Sequence, residues 1–219
     1  MSMKLNNKTL VCKKVIFWDF DGVIKDSVAV KSDAYEQLFK TFRGDVSNKV
    51  KLHHEANGGM SRFDKFPLYL KWAGEEPSQK LVDQYSKKFS NLVKQKVIDS
   101  AWVPGVIEYI EKNAQEQKFF IVTATPQLEI EEILDSLDIR KNFLKIIGAP
   151  TPKENAIRQL LVGCPNVELH QTVMIGDASS DHKAAELNQV PFILRRTDLN
   201  HELQRTLDCQ MINDFYDLN

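Results

Sequence analysis

The sequence has few of the residues that mark several large classes of protein. It has only three cysteines, Cys12, Cys164 and Cys209, which are far apart and in no CxxC spacing. Neither a disulfide framework nor a zinc site is therefore predicted, and a reducing compartment is expected. No apolar run is long enough to span a bilayer, and the first residues, MSMKLNNKTLVCKK, do not read as a targeting signal. We expect a cytoplasmic protein with no membrane partner.

An excess of charge of either sign is also missing. The 219 residues include 29 lysines and arginines against 30 acidic residues, for a formal net charge of -1. Without a sequence-wide basic field, nucleic acid is not an expected partner. The length and the 42% hydrophobic content are sufficient for a packed core, in one domain or in a domain that carries an insertion. The oligomeric state is not fixed by these features, and a monomer is favoured.

Short apolar runs alternate with helical segments over most of the chain. The runs that read as buried strands are KVIFW, KFFIVT, FLKIIG, TVMIG, VPFIL and, less clearly, CQMIN. Between them, one helix is predicted to begin at Thr125 as N-cap with Pro126 following, and another at Thr151. This alternation predicts an α/β fold with a Rossmann-like parallel sheet.

The alternation stops between about residues 26 and 101, where the sequence becomes helical. Helices are predicted from Ser27 to Phe42, from Ser61 to Gly74 with a kink at Pro67, and from Pro77 to Val97. The alternation returns near Gly105. We therefore predict a core formed by residues 1–25 and 102–219, with residues 26–101 inserted as a helical cap between two hinges.

Acidic residues directly follow two of the predicted strands. Asp19 and Asp21 follow the first, and Asp177 and Asp181 follow TVMIG. Because ligands of open parallel sheets bind at the carboxyl ends of the strands, these side chains are expected to converge. Four such carboxylates would repel one another by roughly a few kcal/mol per pair at an effective dielectric of about 20, which requires a cation. Oxygen-only ligands favour Mg²⁺.

Structural roles are the alternative for each of these residues. An Asp pair after a strand often caps a turn or a helix, and Thr123, at the end of the second strand, could simply satisfy backbone groups. Lys153 is more informative, because Thr151 and Glu154 predict a capping box that puts this lysine in the first turn of a helix. The helix dipole disfavours a cation there, and a neighbouring anion would remove the conflict.

Four motifs, WDFDGVI, VTAT, PTPKENAI and GDASSD, occur in this order after strands. Together they resemble the signature motifs of the haloacid dehalogenase superfamily of phosphotransferases, and the match spans nearly the whole chain. The helical insertion is similar to the cap of the phosphoglycolate phosphatase and beta-phosphoglucomutase branch. A Rossmann-like core with an inserted helical cap is the architecture that this resemblance implies.

The resemblance also implies a role for each matching residue. Asp19 is the expected nucleophile, forming an aspartyl phosphate, and Asp21 the general acid and base. Thr123, with nearby backbone amides such as that of Ala124, would bind the phosphoryl oxygens, and Lys153 would offset their charge.

A magnesium site is implied by the same motifs. Asp19, the backbone carbonyl of Asp21 and Asp177 would hold Mg²⁺, with Asp181 as a further ligand or a partner of the ligands.

The stretch KLHHEANGGMSRFDKF is the least generic part of the insertion. Gly59 allows a close turn, and Arg62 and Lys65 lie one helical turn apart, so the pair could clamp an anion of the substrate. Arg62 is similar to the cap arginine that contacts the non-transferring phosphate in the phosphoglucomutase branch. The alternative is that both are solvated surface charges. His53 and His54 are interpreted as packing or solvent residues rather than metal ligands.

The predicted function is a Mg²⁺-dependent phosphatase that hydrolyses a small phosphomonoester, either a sugar phosphate or a phosphorylated acid. Its predicted catalytic and metal-binding residues are those of the four motifs, and its predicted substrate-binding residues are Arg62, Lys65, Gly59 and Ala124. A phosphomutase of the beta-phosphoglucomutase type is the alternative. A binding or scaffold protein on the same fold is disfavoured, because no chemical position of the four motifs is missing.

Overall fold

The structure is a computed structural model that describes residues 10–216. Residues 1–9 and 217–219 of the predicted core lie outside the described residues, as does most of the N-terminal stretch considered as a targeting signal. Within the described part of the chain, no helix is both long and apolar enough to cross a bilayer. All three cysteines are free thiols.

Six parallel strands form one sheet in the order β3-β2-β1-β4-β5-β6. The strands are β1 Val15–Trp18, β2 Lys118–Pro126, β3 Lys145–Ala149, β4 Thr172–Gly176, β5 Phe192–Arg195 and β6 Gln210–Ile212. All six apolar runs read as strands from the sequence are strands in the structure. The order reverses direction beside β1, which is central together with β4. The predicted α/β, Rossmann-like class is confirmed.

Nine α-helices accompany the sheet in the part of the chain that the structure describes. Five lie between β1 and β2 without an intervening strand, and we call the first four the helical insertion: α1 Val28–Phe39, α2 Val46–Ala56, α3 Arg62–Trp72 and α4 Gln79–Asp99. The remaining five are α5 Val106–Asn113, α6 Gln127–Ser136, α7 Lys153–Val162, α8 Ser179–Leu187 and α9 His201–Thr206. Helix α2 was not predicted, and α3 continues through Pro67.

Two apolar cores lie on opposite faces of the sheet, because successive side chains of a strand point in opposite directions. In β1, Ile16 and Trp18 belong to the larger core, whereas Val15 and Phe17 belong to the other. The larger core continues into the helical insertion, whose buried aromatic residues include Tyr35. The insertion therefore packs as part of the same apolar interior.

The helical insertion leaves and returns to the sheet at one place. The backbone N–H of Asp26 donates to the carbonyl of Ala101 at 2.9 Å, and that of Val103 donates to the carbonyl of Ile24 at 3.0 Å. These bonds tie the two connecting segments side by side, close to the end of β1.

Two predicted helix starts are wrong in detail. Strand β2 extends to Pro126, which is itself the N-cap of α6, so Thr125 stays in extended backbone. The capping box predicted between Thr151 and Glu154 is absent, since Pro152 is the N-cap of α7 and no side chain caps that helix. Lys153 nevertheless begins α7, so its predicted place in the first turn is confirmed.

Candidate active site

The carboxyl ends of the central strands bring the predicted site residues together. Trp18, the last residue of β1, is in register with Ile121 of β2 and Ile175 of β4. Asp19 and Asp177 come directly after β1 and β4 and so leave the sheet at the same edge. This is the convergence that parallel strands dictate.

Lys153 lies between two carboxylates. Its Nζ is 2.8 Å from Oδ2 of Asp19 and 2.6 Å from Oδ1 of Asp181, and all three side chains are almost fully buried. Burial lowers the pKa of Lys153, but the two carboxylates outweigh it and raise that pKa above the usual lysine value. A lysine in the first turn of a helix is unfavourable unless an anion lies nearby. Asp19 and Asp181 are such anions here.

Negative charge remains in excess around Asp19. Burial and the nearby Asp181 carboxylate raise the pKa of Asp19 to about 7, against the opposing effect of Lys153. Burial and the Asp19 carboxylate likewise raise the pKa of Asp177 well above its usual value. A raised carboxyl pKa means that the charged form is disfavoured, so the arrangement calls for another positive charge.

The same carboxylates fit a divalent cation. Asp19, Asp177 and Asp181 each offer an oxygen, and these oxygens lie within 4.8 Å of one another. Gly22, at φ +74°, leaves room for this group, because a Cβ there would lie 2.2 Å from Oδ2 of Asp177. Asp181 already accepts hydrogen bonds on both oxygens, from Lys153 and from the backbone of Ala178. Oxygen-only donors of this kind suit Mg²⁺.

Asp21 has a different environment from its neighbour Asp19. Its carboxylate pairs with Lys31 and accepts hydrogen bonds from the hydroxyls of Ser27 at 2.6 Å and Thr125 at 3.0 Å. Burial alone would raise the pKa of Asp21, but Lys31 and these hydrogen bonds lower it below its usual value. Two carboxyl groups two residues apart thus have pKa values shifted in opposite directions, that of Asp19 upward and that of Asp21 downward.

A small cavity of about 40 Å³ lies between the strand ends and the helical insertion. Nine of the ten predicted site residues line it: Asp19, Asp21, Gly59, Arg62, Lys65, Thr123, Ala124, Lys153 and Asp177. The tenth, Asp181, is fully buried. The sequence predictions for the core and for the insertion therefore meet at one cavity.

Comparison with known proteins agrees with this arrangement. The sequence model of the haloacid dehalogenase-like hydrolase family matches residues 15–194, which is most of the chain. The chain belongs to this family. The predicted superfamily and the predicted hydrolase class are thereby confirmed.

Two curated relatives of this haloacid dehalogenase-like hydrolase have related names. A phosphorylated carbohydrates phosphatase of Thermotoga maritima is 25% identical over 186 residues, covering 79% of this chain and 80% of the relative. A phosphoglycolate phosphatase of Colwellia psychrerythraea is 26% identical over 190 residues and covers 80% of each chain. Both matches agree with the prediction of a phosphoric monoester hydrolase.

Solved structures of the family share the fold. The haloacid dehalogenase-like hydrolase YfnB of Bacillus subtilis, solved bound to magnesium, superposes with a TM-score of 0.68 at 19% identity. The alignment covers 94% of this chain and 99% of that protein. The similarity includes the helical insertion as well as the sheet, because so little of either chain is left out.

Thr123 has a structural bond within this hydrolase site. Its buried hydroxyl accepts the backbone N–H of Thr125 at 3.2 Å, which is the structural role considered from the sequence. Thr123 and Ala124 also line the cavity. A binding role for the two residues stays a prediction.

Arg62 of the helical insertion is held by the core of the hydrolase. Its guanidinium donates to both oxygens of Glu129 in α6, at 2.9 and 2.6 Å, and to the hydroxyl of Ser90 at 2.7 Å. Arg62 is therefore not a solvated surface charge, and it is 4% exposed. Its predicted contact with a substrate anion stays a prediction, because Glu129 occupies the guanidinium fork in this structure.

Several site residues were missed by the sequence analysis. Lys31 and Thr125 hold Asp21, Glu129 holds Arg62, and His54 lines the cavity beside Lys65. His54 was interpreted as a packing or solvent residue, and it is indeed buried, with its ring centroid 4.6 Å from that of Tyr35. The only sequence signal for Lys31 was a lysine inside a predicted helix shortly after the DFD motif.

Proposed function

We propose that the protein is a Mg²⁺-dependent phosphatase that hydrolyses a small phosphomonoester through an aspartyl phosphate on Asp19. The proposal rests on one observation: within the cavity, the carboxylate of Asp19 contacts Lys153 and lies beside that of Asp177. The names of the two curated relatives support phosphate esters as substrates. A cytoplasmic location and a monomeric state remain predictions.

Asp19 and Asp21 divide the chemistry between them. A carboxylate oxygen of Asp19 attacks phosphorus, the phosphorus–oxygen bond to the substrate breaks, and its electron pair goes to the leaving oxygen. Asp21, in its protonated form, gives its proton to that oxygen, and the resulting carboxylate later takes a proton from the water that hydrolyses the acyl phosphate. Lys153 offsets charge on Asp19 and the phosphoryl group, and Thr123 and the Ala124 amide bind phosphoryl oxygens.

Asp19, Asp177 and the backbone carbonyl of Asp21 are the residues proposed to hold Mg²⁺. Asp181 is proposed to act mainly through Lys153 and the Ala178 amide, because both of its oxygens already accept hydrogen bonds. When bound, Mg²⁺ supplies positive charge at the phosphoryl oxygens. The magnesium in the structure of YfnB supports this choice of metal.

The helical insertion is proposed to act as a cap over the site. Gly59, Arg62 and Lys65 of the insertion line the same cavity as the four motifs, and the cavity is small. Water is therefore largely excluded while the insertion is in this position, and the insertion must move to admit substrate and release product. The predicted division into residues 26–101 and the rest of the chain is proposed as the division between the moving parts.

Phosphate release measured beside sugar-phosphate isomerisation tests the proposed function. We expect inorganic phosphate to appear from small phosphomonoesters in the presence of Mg²⁺, to stop on chelation and to resume when Mg²⁺ is restored. The phosphomutase alternative predicts an isomerised sugar phosphate without net phosphate release. Isomerisation without net phosphate release would mean that the protein is a mutase and not a hydrolase. Absence of both activities would contradict the proposal that it is an enzyme.

Gly59 gives a test of the proposed cap. A Cβ at Gly59 would lie 1.7 Å from the hydroxyl of Ser180 and 3.3 Å from the Cβ of Ala178, so the Gly59→Ala substitution should push the insertion away from the core. We expect kcat/KM for phosphate release to fall about tenfold. Gly58→Ala is the matched control, because a Cβ there lies 3.9 Å from its nearest neighbour. Equal activity of the two variants would contradict the proposed closure.

A further inference from the structure

Three buried cations of the helical insertion line the cavity, and two of them have a carboxylate partner. Arg62 pairs with Glu129 and Lys31 pairs with Asp21. Lys65 forms no ion pair with any residue in the range 10–216, and its Nζ lies 2.7 Å from Nδ1 of His54. Of these three cations, Lys65 is therefore the one without a carboxylate partner among the described residues.

Burial makes that mismatch costly. Lys65 is 1% exposed, and its ammonium lies 5.6 Å from the centre of the Tyr35 ring. Burial, followed by the charges of Lys31 and Lys153, lowers the pKa of Lys65 well below its usual value. An isolated ammonium removed from water is strongly disfavoured unless an anion accompanies it. The environment of Lys65 is thus suited to an anion that enters the cavity from outside the chain.

His54 supplies a second, independent observation. It is 3% exposed, lines the cavity, and its Nε2 has no hydrogen-bond partner among the described residues. When Lys65 is an ammonium ion it can only donate, so Nδ1 of His54 accepts and the ring proton is on Nε2. The unpartnered atom is then a buried N–H donor, which requires an acceptor.

We infer that Lys65 and His54 form a subsite for a carboxylate of the substrate, so that the substrate class is short phosphorylated carboxylic acids. The inference rests on the proposed function, in which the phosphate of the same molecule lies at Asp19. Lys65 supplies the opposite charge and His54 a neutral donor, while Arg62 remains paired with Glu129 and holds the insertion to the core. A carboxylate is favoured over a second phosphate because its single charge and two oxygens match one ammonium and one neutral N–H donor.

Two phosphate esters that differ only in the carboxylate test the inference by activity. We expect the wild type to prefer phosphoglycolate to ethyl phosphate. Lys65→Met should lower kcat/KM for phosphoglycolate about 30-fold more than it lowers kcat/KM for ethyl phosphate. Lys71→Met is the matched control, since this exposed lysine lies on the same helix and away from the cavity; it should change neither. A Lys65→Met variant that hydrolyses both esters as the wild type does would overturn the subsite.

Binding separates this inference from the proposed function. Titration calorimetry with Mg²⁺ present would compare 3-phosphonopropionate, which cannot be hydrolysed, with propylphosphonate, which has a methyl group in place of the carboxylate. We expect the wild type to bind the carboxylate compound at least about tenfold more tightly, and Lys65→Met or His54→Phe to remove the preference. A wild type that binds both phosphonates equally overturns the subsite without reference to any variant. If the preference is found but no phosphate is released from any ester, the subsite stands and the proposed hydrolysis fails.

Discussion

Replacing Asp19 by asparagine should lower phosphate release by about 10⁴-fold or more while the protein stays folded. An amide cannot attack phosphorus, and loss of a nucleophile commonly removes nearly all of the acceleration that the surrounding residues provide. The shape of the side chain is preserved, and Oδ1, which accepts the Phe20 N–H at 2.7 Å, keeps an acceptor. Phosphate release under substrate saturation and circular dichroism of the same samples would measure the two effects.

An exposed aspartate provides the control for this substitution. Asp83 lies on α4 away from the cavity, and Asp83→Asn should leave phosphate release within about twofold of the wild type. If Asp19→Asn kept more than about a tenth of the wild-type rate, Asp19 would not be the nucleophile. The proposed aspartyl phosphate would then have to be abandoned, even if the protein were still a phosphatase.

The sequence predicted correctly that certain residues meet at one edge of the sheet, because the end of a strand fixes their positions. Asp19 and Asp177 directly follow buried apolar runs, and parallel pairing of β1 with β4 leaves them no other place than one edge of the sheet. Even the unclear run CQMIN is a strand, β6. Helix α2 was missed because only two of its residues, Val50 and His54, are buried, so its sequence carries little apolar periodicity.

The residues that were missed depend on how two helices pack. Arg62 and Glu129 are 67 positions apart and lie on helices of different parts of the chain. Each alone reads as an ordinary charge on a helix, and no spacing rule links them. The same holds for Lys65 and His54, whose pairing follows from the packing of α2 against α3. Local patterns predict which strand ends carry the chemistry, whereas partners across the cavity require the folded structure.

In the absence of metal, Asp19→Asn should stabilise the protein by an amount that grows with pH. The pKa of Asp19 is raised from 3.8 to about 7 on folding. Between these values the folded protein holds a proton that the unfolded chain has lost, so ionisation of Asp19 destabilises the folded state as the pH rises. Asparagine removes that effect. The free energy of unfolding of the variant should equal that of the wild type near pH 4 and exceed it by up to about 4 kcal/mol at pH 8.

Urea unfolding of both proteins with a chelator at pH 5, 6.5 and 8 would measure this difference. Comparing the two proteins removes the contributions of titrating groups that do not interact with Asp19, such as His54, whose lowered pKa has the opposite effect over part of the same range. Asp21 does not interfere, since its lowered pKa acts only below about 3.8. A difference that stays constant with pH would mean that Asp19 is not destabilised by its neighbours.

Mg²⁺ should reverse the sign of the difference in free energy of unfolding between Asp19→Asn and the wild type. A cation held by Asp19 and Asp177 requires both carboxylates to be ionised, so its binding stabilises the wild type more at pH 8 than at pH 5. Asp19→Asn lacks one of the charged ligands and should gain less from the same concentration of Mg²⁺. With Mg²⁺ at pH 8 the wild type should therefore become the more stable protein. If the added metal stabilised both proteins equally, Asp19 would not be a ligand, and the repulsion among these carboxylates would have to be relieved by Lys153 alone.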